Sequence, residues 1–271
     1  MLAAAGAGTV ERCWVEPHRA CDLIFPEAQA AAGQALEGRF AGVDVIVQPE
    51  AGRRKRLLVA DMDSTMIDVE CIDELADYAG RKAQIAVVTE RAMRGELAFE
   101  AALAQRVALL RGLDEAMIEL CHAERVRITP GAQALVGTMR GNGAYCLLVS
   151  GGFTRFADRV AADLGFDAVS ANLLGIADGK LDGTVGLPIL GAEAKRQALE
   201  DAAAAHGLAL SSTLAVGDGA NDIPMLKAAG LGIAYHAKPK AAAAADARID
   251  HNDLTALLYA QGYARREWSE G

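Results

Sequence analysis

Two aspartates that follow an apolar, strand-like run are the residues of this sequence best suited to chemistry. The run covers residues 57–60, and the acids are Asp61 and Asp63. Alternate side chains of an extended chain point the same way, so both carboxylates face one small space. Their repulsion is relieved when a cation lies between them or when one holds a proton. Because Mg²⁺ prefers carboxylate and phosphate oxygens, the pair favours metal-assisted phosphoryl chemistry.

A second acidic motif has the same form. The apolar run 214–216 is followed by Asp218 and Asp222. Aspartates after strands are also common in turns, where they accept backbone N–H groups, so either motif alone is compatible with a structural role. The carboxyl ends of parallel strands meet at the edge of an α/β sheet where ligands bind. A parallel sheet would therefore bring four acidic groups around one ion.

Two further features suit an anion at the same edge. The strand-like run 145–149 leads into Ser150, Gly151 and Gly152, and a helical pattern follows. A Ser-Gly-Gly turn that opens a helix offers a hydroxyl and backbone N–H groups to phosphate. Lys195 lies near the start of a later helical stretch. Taken alone, a lysine is more often a solvated surface residue than a ligand.

The elements that position these residues indicate an α/β core interrupted by helices. Residues 53–73 and 127–271 form the predicted core, while 74–126 carries only amphipathic runs and reads as a helical cap. Residues 176–185 contain two Asp-Gly pairs, which favours a small hairpin beside the site. Residues 1–52 are predicted to be a short N-terminal α+β unit, with strands at 13–15 and 43–47 around an alanine-rich helix.

Four motifs in this order resemble those of the haloacid dehalogenase superfamily of phosphohydrolases: DMDST from Asp61, SGGFT from Ser150, Lys195, and GDGANDIPML from Gly217. Within that superfamily the sequence is most similar to the phosphoserine phosphatases, over roughly residues 57–263. The resemblance implies a Rossmann-like doubly wound parallel sheet with a helical cap. It also implies Mg²⁺-dependent hydrolysis of O-phospho-L-serine to L-serine and phosphate, the last step of serine biosynthesis.

The resemblance also implies a role for each acid. Asp61 would attack phosphorus and become an aspartyl-phosphate. Asp63 would protonate the serine oxygen and later deprotonate the attacking water. Mg²⁺ would be held by the Asp61 carboxylate, the Asp63 backbone carbonyl and the Asp218 carboxylate, with Asp222 orienting these ligands.

Substrate contacts follow from the same resemblance. Ser150, Gly151 and Lys195 would bind phosphoryl oxygens, and Lys195 would also stabilise the charge that accumulates during transfer. Glu70 would bind the substrate amino group, and Asn221 would contact the substrate.

One cap helix carries an arginine within an apolar stripe, at steps of four, three and four residues: Phe99, Leu103, Arg106 and Leu110. Spacing alone favours an arginine whose stem packs on the core. In phosphoserine phosphatases the matching arginine binds the substrate carboxylate, which suits a bidentate guanidinium. Met93 and Phe99 match apolar residues that shield the site.

Composition agrees with a cytoplasmic enzyme. The chain has 271 residues, 52% hydrophobic content and a net charge of −9, which argues against nucleic acid as a partner. Its five cysteines are widely spaced, and they read as reduced thiols rather than a zinc or redox site. The N-terminal residues do not resemble a signal peptide, and no run is long and apolar enough to span a membrane.

Two other functions remain compatible with the motifs. The first is a phosphotransferase that passes the phosphoryl group to another hydroxy amino acid, because the cap decides whether water is admitted. The second is a non-catalytic phosphoamino-acid sensor, since a fold does not fix a function. Retention of both Asp61 and Asp63 argues against the sensor. The N-terminal unit has no legible role, and one candidate role is assembly into a homodimer.

Overall fold

The computed structural model describes residue 2 and residues 8–26, 29–94 and 96–269, without the side chains of residues 29, 30, 34 and 93. The strands, in chain order, are β1 (Glu11–Glu16), β2 (Ala20–Ile24), β3 (Leu57–Ala60), β4 (Tyr145–Phe153), β5 (Ala168–Asn172), β6 (Leu174–Ala177), β7 (Lys180–Val185), β8 (Thr213–Gly217), β9 (Leu231–Tyr235) and β10 (Ala247–Ile249).

The helices are α1 (Gln29–Leu36), α2 (Cys71–Tyr78), α3 (Lys82–Met93), α4 (Phe99–Ala108), α5 (Ala116–Arg125), α6 (Ala132–Gly141), α7 (Thr154–Leu164), α8 (Ala192–Ala205), α9 (Ile223–Ala228), α10 (Pro239–Ala242) and α11 (Ala256–Ala260). Within the described part of the chain, no helix has both the length and the apolar character needed to cross a bilayer.

The predicted parallel sheet is confirmed. Six strands pair in the order β10-β9-β8-β3-β4-β5, and every pairing is parallel. The chain proceeds from β3 outward through β4 and β5, then returns to the other side of β3 for β8, β9 and β10. The strand order therefore reverses beside β3, and such a switch point opens a crevice at the carboxyl ends of the strands.

Helices cover both faces of this sheet, which explains why its central strands are uniformly apolar. All four residues of β3 are fully buried. Leu58 and Ala60 belong to the core that includes α6, α7 and α11, whereas Leu57 and Val59 belong to the core that includes α8 and α9. The rigid centre of a three-layer sandwich thus carries Asp61 at its end.

The cap segment is helical, as expected. Helices α2 to α5 span residues 71–125, so the proposed boundary at residue 74 falls inside α2. The predicted hairpin is also present, formed by β6 and β7 with Asp178 and Gly179 at positive φ in its turn. Its strand β7 bonds to the cap, since Gly112 N–H donates to the Leu181 carbonyl at 2.8 Å.

The N-terminal unit differs from the prediction in one element. The strand expected at 13–15 is β1, which pairs with β2 in an antiparallel hairpin, and α1 follows it. Residues 43–47, in contrast, are not a strand. They lie along the core, where Ile46 packs against it and the Asp44 carboxylate accepts the Asp250 N–H at 2.8 Å. The β-branched residues 43, 45, 46 and 47 suggested a strand, but core packing and this side-chain contact fix the segment instead.

Candidate active site

A cavity of about 100 Å³ opens at the switch point, between the carboxyl edge of the sheet and cap helix α4. Most of the predicted site residues line it: Asp61, Asp63, Glu70, Phe99, Arg106, Ser150, Gly151, Asp218 and Asn221. Lys195 and Asp222 are fully buried beneath this set, where Lys195 bonds both to Asp61 and to Asp222. The side chain of Met93 lies outside the described residues. The structure thus brings the separated motifs to one place.

The loop after β3 is shaped to present its acids. Asp61 N–H donates to the Val216 carbonyl of β8 at 3.0 Å, so the backbone stays attached to the sheet. The chain then turns over residues 62–66, where Asp63 is extended and Ser64 adopts a left-handed φ of 56°. A positive φ is unfavourable for serine, and such strain is typical of functional sites. Ser64 Oγ uses this position to donate to Glu70 Oε1 at 2.9 Å.

We call Asp61, Asp218, Asp222 and Lys195 the acidic floor of the cavity. Lys195 Nζ lies 2.6 Å from Asp61 Oδ1 and 2.7 Å from Asp222 Oδ1. Burial lowers the pKa of Lys195, but the two carboxylates outweigh that effect and hold the pKa above its usual value. Burial and the neighbouring Asp222 raise the pKa of Asp61, whereas Lys195 opposes the rise. The lysine therefore remains cationic and fixes the orientation of both acids.

The acidic floor fits a hard divalent cation. Its three carboxylates offer oxygen atoms that lie within 4.8 Å of one another. Lys195 can neutralise one of these charges, so the group keeps a negative excess that a cation would relieve. Asp222 uses Oδ1 for Lys195 and Oδ2 for the Gly219 N–H at 2.8 Å, so it is better placed to orient than to bind. Asp61 and Asp218 are the better candidate ligands.

Asp63 has the character of a proton carrier. Its Oδ1 is buried and has no hydrogen-bond partner among the described residues. Burial, and then the Glu70 carboxylate, raise the pKa of Asp63 to about 7. A carboxyl group with a pKa near neutrality can both give and accept a proton at physiological pH.

The Ser-Gly-Gly segment is a strand end rather than the predicted turn. Strand β4 continues to Phe153, with a register shift between Val149 and Phe153, and α7 begins only at Thr154. A Cβ on Gly152 would lie 3.0 Å from both Asp63 Oδ2 and Ser150 Oγ, so glycine permits this close approach. Gly152 N–H donates to Ser150 Oγ at 2.9 Å, which leaves the serine hydroxyl proton free for an anion.

We call Glu70, Phe99 and Arg106 the cap wall of the cavity. Arg106 Nε is buried and has no hydrogen-bond partner among the residues that the structure describes. Burial lowers the pKa of Arg106, although nearby acids, chiefly Asp73 and Glu70, oppose the change. Phe99 packs close to β4, because a Cβ on Gly151 would lie 3.0 Å from its ring. The wall thus places a cation and an anion above the acidic floor.

Sequence reasoning missed Lys238, which also lines the cavity. Its Nζ lies 3.0 Å from Asp218 Oδ2 and 3.8 Å from Glu70 Oε1. Burial lowers the pKa of Lys238, but the Asp218 and Glu70 carboxylates together have a larger effect in the opposite direction. The pKa therefore lies above its usual value. Lys238 follows the buried strand β9 by three residues. The apolar run 231–235 is the sequence signal for it, since the rule that identifies Asp61 and Asp218 at strand ends applies equally to Lys238.

Comparison with known proteins shows which family this chain belongs to. Residues 58–227 match the model of the haloacid dehalogenase-like hydrolases. The chain is 45% identical over 235 residues to the phosphoserine phosphatase of Streptomyces coelicolor, which covers 86% of this chain but 57% of that protein. It is also 45% identical over 208 residues to the phosphoserine phosphatase of a Polaromonas species, covering 75% of this chain and 88% of the relative.

A solved structure shows the same similarity in three dimensions. A substrate-bound phosphoserine phosphatase superposes with a TM-score of 0.71 at 40% identity, over 76% of this chain and 97% of the other. The chain thus spans only about half of the Streptomyces relative but nearly all of this structure. The resemblance stated from the motifs is confirmed at the level of the family and the fold.

Proposed function

The chain belongs to the haloacid dehalogenase-like hydrolase family, and we propose that it is a Mg²⁺-dependent phosphatase that hydrolyses O-phospho-L-serine to L-serine and phosphate. The proposal assigns it to the last step of serine biosynthesis and to the cytoplasm. The relatives named above, which are phosphoserine phosphatases, support it.

The observation that carries the substrate assignment is Arg106 Nε, which is buried and has no hydrogen-bond partner among the described residues. An unpaired buried charge is costly unless a partner of opposite charge is supplied. Arg106 lines the same cavity as Glu70 and as Asp61 and Asp218 of the acidic floor, where we place the phosphoryl chemistry. A phosphorylated amino acid offers a carboxylate for Arg106, an ammonium for Glu70 and a phosphoryl group for the floor. A simple phosphate ester would leave Arg106 without a partner.

The first half of the reaction forms a bond between Asp61 and phosphorus. A carboxylate oxygen of Asp61 attacks, and the bond between phosphorus and the serine oxygen breaks. Asp63 gives its proton to that oxygen, so serine leaves as a neutral alcohol. Lys195 is already bonded to Asp61 Oδ1, so it holds the attacking group in place and lies near the charge that develops.

The second half returns the site to its starting state. Asp63, now ionised, accepts a proton from water as the water attacks phosphorus and releases Asp61 and phosphate. Ser150 can donate its hydroxyl proton to a phosphoryl oxygen throughout, because Oγ already accepts the Gly152 N–H. Mg²⁺, held by Asp61, Asp218 and the Asp63 carbonyl, would supply neutralising charge to the phosphoryl oxygens.

The decisive experiment measures phosphate release from L-phosphoserine, phosphothreonine and an aryl phosphate, each with Mg²⁺ and with EDTA. We expect metal-dependent turnover that strongly favours L-phosphoserine. Faster turnover of the aryl ester would keep the phosphatase chemistry and refute the substrate assignment. Phosphoryl transfer to an added hydroxy amino acid, with little free phosphate, would instead identify a phosphotransferase.

A further inference from the structure

Lys238 is held in place from both sides of its backbone. Its N–H donates to the Asp218 carbonyl at 2.9 Å. Its own carbonyl accepts the N–H groups of Ala241 and Ala242 at 3.0 Å each, at the start of α10. The side chain therefore leaves the backbone from a fixed point beside the end of β8.

The ammonium group of Lys238 lies between two acids that belong to different parts of the site. Asp218 Oδ2, 3.0 Å away, is part of the acidic floor. Glu70 Oε1, 3.8 Å away, is part of the cap wall and precedes α2. Half of the lysine side chain is exposed, so its contacts can change without disruption of the core.

We propose that Lys238 sets how tightly the acidic floor holds its divalent cation, because it shares the Asp218 carboxylate with that cation. The inference rests on the proposed function, which places Mg²⁺ on Asp61 and Asp218. Lys195 also bonds to a proposed ligand, Asp61, but it is fully buried between Asp61 and Asp222, so its contacts are fixed, whereas those of the half-exposed Lys238 can change.

Charge gives the direction of the effect. An ammonium group bonded to Asp218 repels a second cation on the same carboxylate, and it occupies one of the oxygen atoms that the cation would use. Lys238 should thus weaken cation binding and keep it exchangeable. The same ammonium group lies near Glu70, the acid that would bind the substrate amine. Cation binding at the floor and amine binding at the wall would therefore both involve Lys238.

The test compares Lys238→Met with Lys240→Met in the 271-residue chain. Lys240 lies two residues farther along the chain, in α10, and it is exposed. Its replacement removes the same charge, so it is a matched control. Binding of Mn²⁺, a hard cation with the same preference for oxygen ligands, is followed by loss of the EPR signal of the free ion. Competition by Mg²⁺ then gives the affinity for Mg²⁺.

We expect Lys238→Met to bind Mn²⁺ and Mg²⁺ at least about fivefold more tightly than the wild type, with little change in Lys240→Met. Unchanged or weaker binding in Lys238→Met would overturn this inference alone. Equal tightening in both variants would also overturn it, since the effect would then be one of net charge. A wild-type protein that binds neither cation would overturn both this inference and the metal of the proposed function.

Discussion

The acidic floor and the cap wall of the cavity differ in whether their charged groups are already paired. In the floor, Lys195 joins Asp61 to Asp222, and the second oxygen of Asp222 accepts a backbone N–H. In the wall, Arg106 Nε is buried with no partner among the described residues. The charged groups of the floor are thus bonded to one another before a ligand binds, whereas the wall has a charged group that a ligand can pair. This difference supports our proposal that the floor performs the chemistry and that the wall selects the substrate.

This division follows from the elements that carry the two groups. Asp61 and Asp218 lie directly after central parallel strands, and Lys195 lies in the first turns of α8, which packs on the sheet. Groups mounted on such rigid elements can be held at fixed distances for electrostatic catalysis. Arg106 and Phe99 lie on α4, within the helical cap segment. A change in the wall should therefore alter binding and leave the floor intact.

Replacement of Asp61, the proposed nucleophile, should have the largest effect. Asp61→Asn keeps the shape of the side chain but removes the charge that attacks phosphorus, so we expect kcat to fall by on the order of 10⁴-fold or more. Phosphate release and the labelling of protein with ³²P-phosphoserine after an acid quench measure the loss. Appreciable turnover or labelling in this variant would refute the role of the floor.

Replacement of Asp63, the proposed proton carrier, should have the next largest effect. Asp63→Asn leaves Asp61 and Lys195 in place but removes the carboxyl group whose pKa is raised to about 7. We expect kcat to fall about 10²- to 10⁴-fold, while the affinity for phosphoserine changes little. An aryl phosphate with an acidic leaving group provides the contrast, because its release needs less protonation. If both substrates lost formation of the phosphoenzyme equally, Asp63 would not be the acid of the first step.

Replacement of Arg106 tests the cap wall directly. Arg106→Ala removes the proposed partner of the substrate carboxylate, so we expect kcat/KM for phosphoserine to fall roughly 10- to 100-fold. Turnover of an aryl phosphate should change little, because that ester has no carboxylate to bind. Steady-state kinetics on both substrates measure the difference.

A matched control separates recognition from packing. Arg91→Ala removes another arginine of the cap, one that forms a partly exposed ion pair with Glu96. This variant should leave kcat/KM for both substrates and the melting temperature nearly unchanged, since exposed ion pairs contribute little to stability. An Arg106→Ala variant that lost activity on both substrates, with a lower melting temperature, would make Arg106 a structural residue and remove the contrast between floor and wall.

Much of the floor could be predicted because strand ends obey a simple rule. Apolar runs mark the buried strands β3, β4 and β8, and parallel strands bring the residues after them to one edge. The rule alone located Asp61, Asp63, Ser150 and Asp218. It could not locate Lys195, because that residue lies on a helix, where an isolated lysine is usually solvated. Only the resemblance to a known family selected it, and the structure then showed full burial.

The wall was harder to predict because helical spacing does not say what a face contacts. Phe99, Leu103 and Arg106 of the predicted stripe lie on α4, and Leu103 is buried, whereas Leu110 lies beyond the end of that helix at Ala108. Spacing could not distinguish a face that closes a cavity from one that packs in a core. The prediction of a Ser-Gly-Gly turn was wrong for a related reason. Val149 and Phe153 on either side of this segment both pair with β5, so the strand continues through an irregular stretch instead of turning.

Replacement of Ser64, which bonds to Glu70 of the cap wall, should have the smallest effect. Ser64, at its strained φ, donates to the Glu70 oxygen that also lies nearest to Lys238. Ser64→Ala removes one hydrogen bond to a charged acceptor, so we expect KM for phosphoserine to rise about two- to tenfold with kcat nearly constant. A similar ester without an amino group is the control, and its KM should not change. A fall in kcat for both esters would instead place Ser64 with the floor, because the shape of the Asp61–Asp63 loop would then depend on its hydroxyl.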